Sequence, residues 1–463
     1  MIATAASSAE ARTVGATPER FDAVVAGAGP AGSIAALVLA RAGARVALVD
    51  KASFPRDKAC GDLVGPRGVA VLEALGLAVP GALPVADMVV VGPTGRRVSL
   101  PCHPGRDYPG LALAVPRRRL DDHLRRAALD AGAHERVARV AEPVLDGSGA
   151  VTGVVLSSGE SLPADFVIGA DGATSRVADM AGLVQPERVL YGFAVRTYCE
   201  DRIDAPHILL RDVGPWRGLP GYGWAFPGPG PANAGIGLGL RSDRRRAAEA
   251  TRALPGFLED LRRLGLLATG GEPASLGGWL KMGMVGTVPA RGRVLLVGDA
   301  AGLVNPLQGE GISQAMASGA AAATAVLRAP ATAAASYRRA LADQRLPYMA
   351  VAASVHAGML GRPRVIAAAG RALTAPGVGR AIAGVWSLSW NDLVAGASPR
   401  PAAVASAALL EAARLATART GPAQWIRTAV APRDEEVPSV ASASCPPGPP
   451  GPPQTAPRSL PTP

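Results

Sequence analysis

Phe21 opens the first sustained apolar run of the chain, and Asp22–Gly27 (DAVVAG) continues it without polar alternation. Such a run predicts a strand buried on both faces, as in a parallel sheet. Ala31–Ala42 has the apolar spacing of a helix, and Arg45–Asp50 (RVALVD) repeats the strand character, so the three segments form a βαβ unit. Arg117–Gly132 has helical spacing. Asp165–Ala170 (DFVIGA) is a further apolar strand, and Arg293–Gly298 (RVLLVG) is another that runs through a loop into a long Ala-rich helix. Val85–Pro109 and Tyr191–Leu280 differ, because they alternate apolar and polar residues between Gly/Pro turns, as antiparallel strands do. From Tyr348 to about Pro432 the pattern is helical, with Trp386, Trp390 and Trp425 as packing anchors.

The expected fold class is α/β: a parallel nucleotide-binding domain in three pieces (residues 21–84, 110–184 and 285–347), interrupted by an antiparallel β-rich substrate domain (85–109 and 185–284). A C-terminal helical region covers 348–432. Residues 1–20 are small and polar, and 433–463 are dominated by Pro, Ser, Gly and Thr, so both ends are expected to be disordered.

Composition narrows this picture. A chain of 463 residues, 48% hydrophobic and 18% charged, is long enough for two or three domains with real cores and is no disulfide mini-scaffold. The formal charge of +11 would suggest nucleic acid, but Lys51, Lys58 and Lys281 are the only lysines and the arginines are scattered among acids. Nucleic-acid binding is therefore not expected. A positive face resting on an anionic membrane is compatible with it. Cys60, Cys102, Cys199 and Cys445 have neither metal-ligand nor disulfide spacing, which fits a reducing cytoplasm. No stretch supplies about 18 apolar residues without charges or breakers, and the first 20 residues lack a signal-peptide pattern. His103, His123, His134, His207 and His356 fit no triad or metal spacing.

The chemistry begins at Gly27-Ala28-Gly29-Pro30-Ala31-Gly32, between the first strand and the first helix, with Asp50 ending the next strand. Gly27, Gly29 and Gly32 permit a tight turn and close backbone approach to a pyrophosphate; helix N–H groups face the phosphates, and Asp50 can accept from ribose hydroxyls. Lys51, directly after it, joins the expected cofactor-binding residues. Dinucleotide binding follows, although this fingerprint does not separate FAD from NAD.

Two later segments do. Gly169-Ala170-Asp171-Gly172-Ala173-Thr174-Ser175 and Gly298-Asp299-Ala300-Ala301-Gly302, taken with the first fingerprint, resemble the three motifs of the flavoprotein hydroxylase and geranylgeranyl reductase superfamily across roughly residues 21–345. The resemblance implies an FAD domain of the glutathione-reductase type, with Asp299 on the ribityl chain, Asp171 bracing the pyrophosphate side, and Arg117 contacting the cofactor through an R-x-x-L-D helix start with Leu120 and Asp121. The loop from Asp299 to Ile312 resembles the reductase branch, since aromatic hydroxylases usually carry His where Gly302 stands. Lys58-Ala59-Cys60-Gly61-Asp62 resembles the reductases' cysteine-glycine loop, and Tyr222-Gly223-Trp224-Ala225-Phe226-Pro227 their Y-x-W-x-F-P substrate motif. The hydroxylase arginine expected at Ala178 is missing.

What the resemblance implies is an FAD-dependent reductase that saturates C=C bonds of a polyprenyl group, geranylgeranyl or prenylquinone. Cys60 and Gly61 are the expected catalytic loop, Tyr222, Trp224 and Phe226 the substrate wall, and Gly309, Gly311 and Ile312 the backbone along the flavin ring. NAD(P)H or a ferredoxin is the expected electron donor. A peripheral place at the inner face of the membrane is compatible with a lipid-like substrate. The alternatives are a flavin monooxygenase or halogenase, although the halogenase W-x-W-x-I-P is missing, and a flavin-containing binding protein without turnover. Oligomeric state is left open.

Overall fold

The computed structural model describes residues 19–431 except 212, 241–245, 269–273, 360–361 and 363. The ends expected to be disordered thus lie outside the described residues, apart from Glu19 and Arg20, and so does Cys445.

The apolar strands assemble as their patterns require. Phe21–Ala26 is central in an eight-stranded sheet, parallel to Val46–Asp50 on one side and to Ser161–Gly169 on the other, with Ala23 opposite both Val46 and Phe166. His134–Val137 and Val294–Leu296 extend it in parallel on the two flanks. A hairpin, Val140–Leu145 and Val151–Leu156, adds antiparallel to the start of Ser161–Gly169. The helix Pro30–Arg41 lies over this sheet between Arg117–Asp130 and Ile312–Arg328. Small residues set the distance: a Cβ on Gly319 would stand 2.2 Å from the Ala31 carbonyl oxygen. Ala31, Ala35 and Ala36 are accordingly buried.

The second sheet has seven strands in the order Ser275–Met282, Leu190–Cys199, Ala232–Leu240, Gly221–Phe226, His207–Leu209, Asp87–Val91 and Arg97–Pro101. The expectation of purely antiparallel pairing is corrected at one point, since His207–Leu209 runs parallel to Asp87–Val91. More than a hundred residues separate those strands, so no hairpin fixes their direction. Leu83–Val85 and Ala112–Ala114 belong instead to a small sheet with Leu63–Val64.

Alternation along Gly221–Phe226 decides what each face meets. A Cβ on Gly223 would stand 2.2 Å from the Phe257 ring of the helix Ala247–Arg263, so this face is closed by that helix. Tyr222, Trp224 and Phe226 project from the opposite face, toward the first sheet's loops. Five helices, Leu346–Met359, Arg364–Leu373, Gly379–Trp390, Pro401–Thr417 and Gly421–Val430, complete the described chain.

Candidate active site

The glycine turn is built as backbone-against-backbone packing. Gly27 has φ +108°, and a Cβ there would approach the Ala170 carbonyl oxygen to 2.3 Å; one on Gly32 would come within 1.8 Å of the Gly27 carbonyl oxygen. Neither neighbour is a side chain that could yield. Gly29 differs: a Cβ there would meet nothing closer than the Arg56 guanidinium at 3.6 Å, because that side faces a cavity. Gly29 also caps the helix Pro30–Arg41 without any side-chain hydrogen bond, leaving its N-terminus presented to the cavity. Asp50 accepts from Ala28 N–H at 2.8 Å and Ala52 N–H at 2.9 Å, which locks the turn to the end of the second strand.

Asp171 and Asp299 are held differently. The Asp171 carboxylate accepts from the Ser175 hydroxyl at 2.5 Å and from the N–H groups of Arg176 and Val177, so it braces the start of the helix Arg176–Met180. Asp299 faces the Lys58 ammonium at 3.6 Å. In the loop beyond it, Gly309 takes φ +70° and donates its N–H to the Asn305 carbonyl at 2.9 Å. That N–H is therefore spent within the turn. Gly311 caps the helix Ile312–Arg328, whose Ser313 N–H donates to the Glu310 carboxyl at 2.6 Å.

Opposite stands a side-chain network that closes on Asp62. This residue takes the left-handed region, φ +61°, and is buried. Its carboxyl accepts from Tyr198 Oη at 2.6 Å, Asn233 Nδ2 at 2.9 Å and the Arg117 N–H at 3.1 Å. Asn233 also donates to the Cys60 carbonyl at 2.8 Å and accepts from the Trp224 indole N–H at 2.9 Å. The cysteine loop is thus fastened to the aromatic wall through one amide. Gly61 completes the fit, since a Cβ there would stand 2.9 Å from the Phe226 ring. Arg117 is buried and gives a two-pronged ion pair to Asp121 at 2.6 and 2.7 Å, while Arg56 reaches the same carboxylate at 3.0 Å.

The wall itself depends on missing side chains. A Cβ on Gly235, across the sheet from Trp224, would lie 2.4 Å from the indole, so the two glycines Gly235 and Gly237 make its berth. Tyr222 donates to the Gln308 carbonyl and meets Trp390 edge-to-face at 5.8 Å; Trp390 stacks on Trp386 at 4.6 Å. The enclosed space is about 580 Å³.

Low dielectric sets the protonation states. Burial pushes the Cys60 thiol above its ordinary 9.0, against the pull of the Arg117 guanidinium, so the thiol keeps its proton at neutral pH. Burial likewise raises the carboxyls of Asp62 and Glu310.

One cavity therefore brings together Gly27, Gly29, Asp50, Lys51, Cys60, Gly61, Arg117, Asp171, Tyr222, Trp224, Phe226, Asp299, Gly309, Gly311 and Ile312. Gly32 is not at the cavity; its place is the helix–turn contact. Sequence reasoning missed Tyr198, Asn233, Arg56 and the site role of Trp390, and assigned no function to Asp62. His356 lines the cavity, where sequence spacing gave it no role, and His207 is buried with its ring nitrogen 2.7 Å from the Ala205 carbonyl oxygen.

A family model for an FAD binding domain matches residues 20–197. The menaquinone reductase of Mycolicibacterium smegmatis is 41% identical over 315 residues, 66% of this chain and 76% of that protein. This chain belongs to the geranylgeranyl reductase family of FAD-dependent oxidoreductases. Within that family, the geranylgeranyl diphosphate reductase of Rhodobacter capsulatus is 33% identical over 66% of this chain and 75% of its own. A solved geranylgeranyl bacteriochlorophyll reductase-like protein from Thermoplasma acidophilum superposes with a TM-score of 0.65 at 22% identity, covering 85% of this chain and 100% of that one. At that identity the match speaks for the fold, which is the α/β flavoprotein fold read from the sequence. The family's FAD suits the residues present: a helix N-terminus without a side-chain cap, and a cradle at Gly29 that a side chain would fill.

Proposed function

We propose that this flavoprotein saturates C=C bonds in the polyprenyl chain of a lipid-like substrate, a prenylated quinone in preference to a geranylgeranyl diphosphate. One observation carries the reading: the cavity that begins at the dinucleotide cradle ends at an apolar wall of Leu63, Met88, Tyr222, Trp224, Phe226 and Trp390. Such a wall suits a hydrocarbon that offers no polar handle. The relative at 41% identity is named for a prenylated quinone, those at 31–33% for geranylgeranyl compounds.

Gly27, Gly29, Asp50, Lys51, Arg117, Asp171 and Asp299 would hold FAD, which when bound and reduced supplies a hydride. An isolated alkene also needs a proton at the neighbouring carbon. Cys60 is the acid, because its half-buried thiol stays protonated at neutral pH and acts as a donor where a thiolate could not. Asn233, bonded to the Cys60 carbonyl, and Asp62, bonded to Asn233, fix the loop that carries it. The wall keeps water from the reacting carbons, and the thiolate left behind recovers its proton from solvent. NAD(P)H or a ferredoxin serves as electron source.

The test is anaerobic. Protein carrying reduced flavin, mixed with a prenylquinone, should return to the oxidised spectrum without oxygen and give a product heavier by two hydrogens. Cys60→Ala should slow that step while FAD is retained. Reoxidation that requires oxygen, with a product that gains an oxygen or a halogen, would replace this reading by the monooxygenase or halogenase one.

A further inference from the structure

Exposed apolar side chains and net positive charge gather in the same part of this molecule. From residue 346 to 431 the sequence holds eight arginines and two acids, Asp392 and Glu411. All eight arginines are exposed. Asp392 is buried against Arg345, and Glu411 is paired with Arg414 at 2.6 Å, so neither acid offsets the others. Seven of the eleven large hydrophobic side chains exposed among the described residues also lie here, including Val378 at 58%, Val404 at 67%, Leu409 at 55% and Leu415 at 65%. The helix Pro401–Thr417 has Glu411 and Arg414 as its only charged residues, and the rest of its exposed face is Ala, Val and Leu beside Pro401. A helix that ends in water normally carries a polar outer face.

The inner side of the same helices lines a second cavity of about 950 Å³, walled by Ala381, Gly384 and Leu388 of Gly379–Trp390, Ala402 and Ala403 of Pro401–Thr417, and the last two strands of the second sheet, Asp87–Val91 and the edge strand Arg97–Pro101. Arg380 and Arg400 stand on its lining. This cavity shares Leu63, Met88, Gln308 and Glu310 with the one at the dinucleotide cradle, so the two meet at a common wall.

We propose that the helices Gly379–Trp390 and Pro401–Thr417 dock on an anionic lipid bilayer and that the prenyl chain enters from it through the second cavity. The entry route rests on the function proposed above; the docking surface rests on charge and exposure alone. Arginines around an apolar patch complement anionic headgroups while the patch enters the acyl boundary. A second copy of the chain would bring the same excess of arginine against this one, which opposes a self-interface. No helix among the described residues is long and apolar enough to cross a membrane, so the contact is a surface one.

The experiment uses the full chain with FAD and sedimentation with phosphatidylcholine vesicles, with and without phosphatidylglycerol. Binding should require the anionic lipid, weaken in high salt, and fall about tenfold in the double variant Val404→Glu/Leu415→Glu, whose flavin absorbance should stay that of the parent. The same variant should reduce a vesicle-embedded prenylquinone more slowly, yet match the parent on the substrate presented in detergent. Undiminished sedimentation of the variant would overturn the docking surface. So would a dimer in solution that the variant splits, which would assign the patch to a second copy. Equal loss of turnover in vesicles and in detergent would overturn the entry route. Vesicle binding by a parent protein that reduces no prenyl chain would sink the proposed function and leave the docking surface standing.

Discussion

The two halves of the site are made by different means. The dinucleotide side is backbone: Gly27 and Gly32 pack against carbonyl oxygens, and Asp50 ties down Ala28, a partner 22 residues away in the chain. The opposite side is side chains brought from far apart, with Asn233 reaching Asp62 across 171 residues and Tyr198 reaching it across 136. A backbone cradle needs particular residues at fixed local spacing, so it leaves a signature in the sequence. A side-chain network can be assembled from ordinary residues anywhere, and leaves none.

If that contrast is right, substitutions in the cradle should fail as folding or as cofactor loss, and substitutions in the network as altered binding or titration. The largest effect should come from Gly32→Val, where the added Cβ meets the Gly27 carbonyl with nothing free to move. A loss of about 4 kcal/mol or more is expected, read as insoluble protein or a collapsed melting temperature. Gly29→Val should be its opposite: folded, because the position faces open space, but colourless on purification. A yellow Gly29→Val protein would break the division between the two glycines.

On the other side, Trp224→Ala should leave flavin content intact and weaken binding of the prenyl substrate by about 2–3 kcal/mol, measured as a rise in KM with little change in kcat. An equal fall in kcat would mean that the indole orients the reacting carbons as well as burying the chain.

The smallest effect is a pH dependence. The folded state holds the Asp62 proton more tightly than the unfolded chain, whose value is the ordinary 3.8, because burial raises the carboxyl. From about pH 4 upward the folded state therefore carries more protons, and this residue's contribution to stability declines as pH rises through the raised value. Asp62→Asn, which keeps the shape and cannot titrate, should lack that decline, so its stability relative to the parent should climb as pH rises above about 4. Denaturant melts at several pH values give the difference directly. A flat difference would remove burial as the dominant influence on this carboxyl.

Much of the fold was legible because its signals are local. The strand Phe21–Ala26 is apolar on both faces and lies in the middle of the parallel sheet, and Arg117–Asp130 has helical spacing with Leu120 and Leu124 buried. The alternation of Tyr222, Trp224 and Phe226 announced a shared face. It could not announce what covers each side, because Phe257 and Gly235 come from other elements. Trp390 read as a packing anchor since aromatic residues at helical spacing look alike whether they face a core or a cavity; its edge-to-face meeting with Tyr222 spans 168 positions of sequence. Asp62 stood inside a recognised motif without a role, because its side-chain partners Tyr198 and Asn233 lie on two strands of the second sheet.

By itself the sequence determined the three glycine-rich motifs, the parallel core they sit on, the aromatic strand and the family to which these belong, all of which follow from residue type at short spacing. Tertiary structure alone decided that Gly32 serves the fold while Gly29 faces the cavity, that Gly309 turns its N–H inward, and that Asp62 and Asn233 clamp Cys60 to the wall. It also decided that the C-terminal helices turn an apolar, arginine-bearing face outward over a second cavity. Those are matters of where separate segments meet, and meeting depends on the packing of the whole chain and not on the spacing within any one part of it.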